Sequence, residues 1–299
     1  MVSSNIGELI SLATAVCWAI SATYFEASGK KVGSLCVNYI TLIMGFTFIS
    51  IFTYFTRGML FPIDATSNAW IFLSLSGLIG FFIGDFFLFR AYVEVGSRIS
   101  MLIMASSPPI TALLELLIFG EKLTKVSIMG MIVTILGISI VILGKNPEEK
   151  KIEVTHSLKG LSYAFLGSIG QAVGLIFSKI GMGDYNPFAA TQIRIIAGLI
   201  SFTILFLVLN KWTDLKQALK DKKTMGKIAI GSIFGPFVGV SLALLSLRYT
   251  TAGISSTITS IVPVIIIPFS ILVFKETVKF KEILGSIIAI IGVGMLFLF

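Results

Sequence analysis

Four ionisable residues sit inside or at the edge of stretches that are otherwise apolar: Asp85, Glu115, Arg194 and Glu26. In a hydrocarbon environment each is costly unless it is paired, hydrated or bound to a ligand. Asp85 has no Lys or Arg three or four residues away, so its partner must come from another helix, from water or from a ligand. A carboxylate placed this way suits proton uptake and release. Glu115 and Arg194 fall toward the same face by topology. A structural bridge between them is the expectation, with a gate, or an Arg194 contact to a ligand carboxylate, as the alternatives. Glu26 is read as a further gating or proton-coupling group that also has reach to the surface. Arg90 and Glu94, four residues apart, are expected to pair near the interface.

Uncharged polar residues recur around these charges at helical spacing. One run carries Thr14, Trp18, Ser21 and Phe25, and its counterpart carries Gly167, Gln171, Gly174 and Ser178. Another has Ser107, Thr111 and Glu115 four residues apart, and the run Ser255 to Ser260 has five hydroxyls ahead of Pro263. A lone helical hydroxyl bonds back to its own backbone. Four such stripes on related helices instead line one wet cavity, and Trp18, Ser21, Ser107, Thr111, Gln171, Arg194, Thr259 and Ser260 are the residues expected to meet a small molecule there. Pro108 and Pro263 each remove a helix hydrogen bond and, with Gly84 and Gly239, are the expected hinges. Gly80 with Gly84, and Gly235 with Gly239, have the spacing that lets helix backbones approach in lipid.

The elements that position these residues follow from composition. Of 299 residues 56% are hydrophobic and 13% charged, with a mean hydropathy of +0.98. Largely apolar runs near 7–27, 33–56, 69–90, 97–119, 124–144, 159–179, 188–210, 226–247, 252–274 and 279–298 are long enough to cross a bilayer. Without water to satisfy the backbone, such runs are helices; barrel strands would be half this length and would alternate.

The chain repeats itself. Gly80, Phe82, Gly84, Ile99, Ser100, Pro108, Gly130 and Gly137 match Gly235, Phe237, Gly239, Ile254, Ser255, Pro263, Gly285 and Gly292 at an offset of 155, while Gly7, Ala19 and Gly45 match Gly160, Ala172 and Gly198 at 153. Fixed-period similarity speaks to architecture. Five crossings per copy turn the second copy over. The expected fold is therefore an all-α integral membrane protein with ten transmembrane helices in two inverted five-helix repeats: residues 1–144, a linker at 145–158, and 159–299. Paired interruptions such as Pro108 and Pro263 mark a site between such halves.

Loops after odd-numbered spans hold most of the lysines, including Lys30, Lys31 and the run from Lys211 to Lys227. Basic residues stay on the cytoplasmic side, which places both termini outside a cell membrane. Lys211 to Lys220 puts Trp212, Leu215 and Leu219 on one helical face, read as a segment lying on anionic headgroups. The first apolar stretch is read as a span because no basic region precedes it. Cys17 and Cys36 lie in or beside spans, and His156 is the single histidine; no cysteine or histidine metal spacing and no Ser-His-Asp triad is available. Gly84-Asp85 lacks the Gly-x-Gly-Asp pattern of an intramembrane protease, since Phe82 replaces its first glycine. No enzyme, no cofactor and no nucleic-acid partner is expected.

Trp18, Gly84 with Gly96-Ser-Arg-Ile-Ser-Met101, Pro108, Phe119-Gly-Glu-Lys-Leu-Thr124 and Gly130, followed by Ala190-Thr-Gln-Ile-Arg194, Leu247 to Ile254, Pro263, Phe274-Lys-Glu-Thr-Val-Lys279, Gly285 and Gly292, occur in order. Over essentially its whole length the chain resembles the ten-helix, EamA-type members of the drug/metabolite transporter (DMT) superfamily. That resemblance implies a secondary active transporter, an exporter of amino acids or other small metabolites, working by alternating access about a central cavity, with proton coupling assigned here to Asp85. Nucleotide sugars or phosphorylated metabolites are the alternative substrates, and a channel or structural membrane protein is the remote alternative. Partners would be a small-molecule substrate and the lipid bilayer, in a monomer or homodimer. For many bacterial members the resemblance implies cytoplasmic termini, which the lysine distribution here opposes.

Overall fold

The computed structural model describes residues 6–120, 123–145, 152–154, 156–250, 252–275 and 278–298. Glu121, Lys122 and Glu276 of the repeated motif, and residues 146–151 of the linker, lie outside them. The described chain is helical apart from two short antiparallel strands, β1 (Leu143–Lys145) and β2 (Ile152–Val154), in the linker.

The helices in order are α1 (Ile6–Val32), α2 (Ser34–Arg57), α3 (Ser67–Ser76), a π-helical stretch (Gly77–Gly84), α4 (Asp85–Met104), α5 (Ser107–Phe119) and α6 (Lys125–Ile142). After the linker come α7 (Leu158–Met182), α8 (Pro187–Leu209), α9 (Trp212–Lys220) and α10 (Lys222–Ser232). A second π-helical stretch (Ile233–Gly239), α11 (Val240–Ser246), α12 (Ala252–Thr259), α13 (Val262–Phe274) and α14 (Phe280–Leu298) complete the chain. Among the described residues, eight helical segments are long and apolar enough to cross a membrane, with Ser107–Ile118 a shorter apolar one.

Local chemistry sets the ends. Side-chain oxygens of Thr66, Thr124, Ser157, Asn186 and Asp221 accept from the first free N–H groups of α3, α6, α7, α8 and α10. Gly58 and Gly120 close α2 and α5 in the left-handed region. The expected span 97–119 is broken at Ala105–Ser106, and 252–274 at Ser260–Ile261; in both, the next helix restarts with a proline in its first turn. A proline lacks the N–H that would continue the preceding helix and its ring clashes with the turn before it, yet it is tolerated in a first turn, which puts each break ahead of Pro108 or Pro263. Within α4, Gly96 at φ 82°, ψ 159° reverses the chain between two helical pieces.

Small residues carry the closest packing. A Cβ on Gly137 would lie 2.4 Å from the Ala289 nitrogen, and one on Gly292 2.4 Å from the Thr134 nitrogen. These two contacts exchange under the 155-residue offset. The same reciprocity links Gly7 with Thr250 and Gly160 with Val95, and Trp18 with Gly239 and Gln171 with Gly84.

The loops gather at two ends. At the lysine-rich end, Lys31 pairs with Asp221, Lys159 with Glu94 at 3.7 Å and Arg98 with Glu282, while Lys30 lies 5.0 Å from the Phe274 ring centre. The Lys31 hydrogen bond, with that from the Thr224 N–H, holds Asp221 down to about 2. At the opposite end, the Tyr185 hydroxyl donates to Asp64 at 2.8 Å, and Arg248 donates to the Asp184 and Tyr185 carbonyls. Burial, then the bond to Asp64, pushes Tyr185 up to about 12.

Two surface expectations are corrected. Arg90 stacks 4.2 Å over Phe86 and leaves Glu94 to Lys159. On α9, Leu215 is buried and Trp212 packs against Tyr39 and Phe206, so most of its apolar face covers protein, with Leu219 still exposed.

Candidate functional site

A cavity of ≈ 190 Å³ lies at the centre of the bundle, between residues of α1, α2, α4, α5, α7, α8 and α11 to α13. Trp18, Ser21, Ser107, Thr111, Gln171, Arg194, Thr259 and Ser260 all line it, as do Asp85, Pro108 and Pro263. Gly84 and Gly239 stand just behind the wall: Gly84 packs on the Gly170–Gln171 backbone, and Gly239 on the Trp18 indole. Each glycine closes a π-helical stretch, a helix distortion frequent at functional sites. In the second stretch Pro236 removes a hydrogen bond and lines the cavity itself.

The polar groups divide by whether they are satisfied. Asp85 opens α4 directly after Gly84, and its Oδ1 accepts from Gln171 Nε2 at 2.7 Å. Ser21, Thr259 and Ser260, which line the cavity, donate to carbonyls of their own helices. Thr111 Oγ1, Thr41 Oγ1 and Arg194 Nε are buried with no hydrogen-bond partner among the described residues. Arg194 lies 4.7 Å over the Phe81 ring centre, and its guanidinium faces the same space as Asp85.

On the lysine-rich side the cavity ends on buried side chains. Phe25 and Phe89 rings are 4.7 Å apart, Phe89 and Tyr92 5.6 Å, and the Tyr92 hydroxyl donates to Met101 Sδ at 3.3 Å. Toward the opposite end, Glu115 lies one turn beyond Thr111 and accepts from Lys179 Nζ at 2.7 Å.

That pair replaces the expected Glu115–Arg194 bridge. Both cations lie toward the same end, but the rotation of α8 turns Arg194 into the cavity, and α7 brings Lys179 against α5. Glu26 stands outside the cavity as well. Its carboxylate is 1% exposed, holds Lys30 at 2.5 Å and accepts from the Ser97 N–H at 2.6 Å. It thereby caps the helical piece that restarts after Gly96. Ser255 leaves the hydroxyl stripe too, bonding Ser11 at 3.0 Å and Ser246 at 2.7 Å between helices.

Sequence reasoning passed over Thr41, Phe81, Tyr92 and Met101. Tyr92 shares the helical face of Asp85 two turns on, a signal that was available; Thr41 is a single hydroxyl in an apolar run and gave none. Among the described residues no cluster of three potential metal ligands occurs.

The profile of the EamA-like transporter family matches residues 5–143 and 158–298. An uncharacterized transporter of Archaeoglobus fulgidus is 22% identical over 295 residues, 97% of each chain. YyaM, an uncharacterized transporter of Bacillus subtilis, is 25% identical over 219 residues, covering 73% of this chain and 70% of its own. A solved structure titled only as the crystal structure of a protein superposes with a TM-score of 0.66 at 14% identity, over 99% of this chain and 98% of that one; this likeness concerns the fold alone.

Proposed function

The chain belongs to the EamA-like transporter family and is a multi-pass membrane transporter, and from that premise we propose that it is a secondary active carrier of small zwitterionic metabolites of amino-acid size. The observation that carries the reading is the pairing of opposite charges across one small cavity. Arg194, with an unpartnered Nε, meets a carboxylate; Asp85 meets an ammonium group or a proton; Trp18 and Phe81 flank the remainder. The volume favours such a ligand. At ≈ 190 Å³ the cavity falls below the roughly 300–1,000 Å³ of drug-sized sites, and Arg194, the one lining cation among the described residues, is too little for a nucleotide sugar or a sugar phosphate.

Alternating access is the proposed mechanism. The exchangeable contacts, with the matched breaks before Pro108 and Pro263, support two inverted five-helix halves, 1–144 and 159–299, joined by 145–158. In such a molecule the halves rock about the site. The Phe25, Phe89, Tyr92 and Met101 layer closes the lysine-rich side, and the Glu115–Lys179 pair, bridging α5 and α7, acts as a latch on the other. Asp85 is the proposed coupling group: protonation removes the charge from its bond with Gln171 and weakens it, and it alters the charge opposite Arg194. The lysine-rich end is read as cytoplasmic, and export as the direction of flux.

Purified protein in sealed vesicles, challenged with a panel of amino acids and sugar phosphates with and without an imposed pH gradient, tests the reading. Saturable flux of zwitterions is expected. Saturable flux of sugar phosphates alone would assign the other substrate class.

A further inference from the structure

Asn38 on α2 is 1% exposed, and among the described residues neither its amide nitrogen nor its oxygen has a hydrogen-bond partner. A buried amide left unsatisfied is destabilising, and an apolar residue of similar shape would hold the position better. Polar residues inside a membrane either hydrogen-bond across helices or face a pathway for water or substrate. As helix-to-helix glue Asn38 would hydrogen-bond a group on another helix, and among the described residues it bonds none.

Its position gives it a use. Thr41, about one helical turn along α2, lines the cavity and carries an equally unpartnered hydroxyl. Gly45, a further turn along, packs on Pro236 of the second π-helical stretch. Tyr39, beside Asn38 in sequence, faces the other way and bonds Thr203 at 2.9 Å. Asn38, Thr41 and Gly45 thus form the inward face of α2. Reckoned from the turns at Gly33 and Gly96, Asn38 lies at the depth of Tyr92 and Met101, within the layer that closes the cavity.

We propose that Asn38 is the polar station of the closed half of the transport path, the group that water and substrate contact when the Phe25, Phe89, Tyr92 and Met101 layer parts toward the lysine-rich end. This rests on the alternating-access reading. In the closed arrangement the amide is sealed without partners; in the opened one the entering water and ligand satisfy it. The stability lost in one state is thereby recovered in the other, which eases opening of an otherwise apolar seal.

The test places single cysteines at Asn38 or Thr41 in a Cys17→Ser, Cys36→Ser background and applies a membrane-impermeant methanethiosulfonate to either side of oriented vesicles. Thr41→Cys is expected to react from both sides and Asn38→Cys from the lysine-rich side alone. Reaction of Thr41→Cys from both sides with Asn38→Cys inert to both would overturn this proposal and leave alternating access standing. Reaction of Thr41→Cys from a single side would sink alternating access, and this proposal with it. Asn38→Leu supplies a second readout: its melting temperature is expected to shift upward, and a downward shift would reveal a structural role for the amide and overturn the assignment.

Discussion

Gln171 on α7 donates its side-chain amide to Asp85 on α4 at 2.7 Å, and the two residues belong to elements from opposite halves of the chain. Asp85 begins α4 where the first π-helical stretch ends, and Gln171 packs against Gly84 of that stretch. A change in the charge of Asp85 therefore acts on the seam between helices as well as on the cavity. Asp85→Asn fixes the position as neutral. Its flux in vesicles is expected to lose pH dependence, and an unchanged pH profile would remove Asp85 from coupling.

Arg194 carries the second prediction. Arg194→Met removes the charged donor facing the cavity, and a hydrogen bond to a charged group contributes about 1.5–3 kcal/mol. Apparent affinity for a carboxylate substrate should fall roughly ten- to a hundredfold, while a substrate lacking the carboxylate should bind much as before. Equal losses for both substrates would show that Arg194 shapes the cavity without recognising the ligand.

Packing of α6 on α14 is tested through two glycines. Gly137→Val drives a side chain into the Ala289 backbone, whose nitrogen lies 2.4 Å from where a Cβ on Gly137 would stand; overpacking of this kind costs about 1–3 kcal/mol. Gly226, in α10, has nothing within 4 Å of its Cβ position, so Gly226→Ala serves as the control and is expected to be neutral or stabilising by about 0.4–1 kcal/mol. Melting temperatures in detergent measure both, and a Gly137→Val protein as stable as the parent would refute the close approach.

At the lysine-rich end, Asp221 joins Lys31 and caps α10. Its native value of about 2 lies below the roughly 3.9 of an unfolded aspartate. The carboxylate's contribution is thus fully present above about pH 4 and is lost as pH falls through about 2. The stability difference between the parent and Asp221→Asn should be constant from neutral pH to about 4 and shrink below it. A difference that instead narrows near pH of about 6 would point to another group, such as a histidine.

Much of this was legible in the residues. Charge and hydropathy marked the helices, and the helical spacing of rare polar residues was enough to gather Trp18, Ser21, Gln171 and Thr111 around one cavity. The breaks before Pro108 and Pro263 follow from proline's local sterics. Helix rotation was not legible. Lys179 and Arg194 lie toward the same end, and only the turn of α7 and α8 about their axes decides which meets Glu115. Ser255 reads as one more hydroxyl in a polar stripe, yet its angular position sends it to Ser11 and Ser246. A reversal between 69–90 and 97–119 was expected, but its placement at Gly96, which lets Glu26 cap the restarting helix, is a single backbone angle that composition does not encode.

A carrier's site is reached from one side at a time, and counterflow tests this most directly. Vesicles preloaded with unlabelled amino acid and diluted into labelled amino acid should accumulate label transiently above its equilibrium level. Flux that neither saturates nor responds to substrate on the far side would contradict the account and describe a channel.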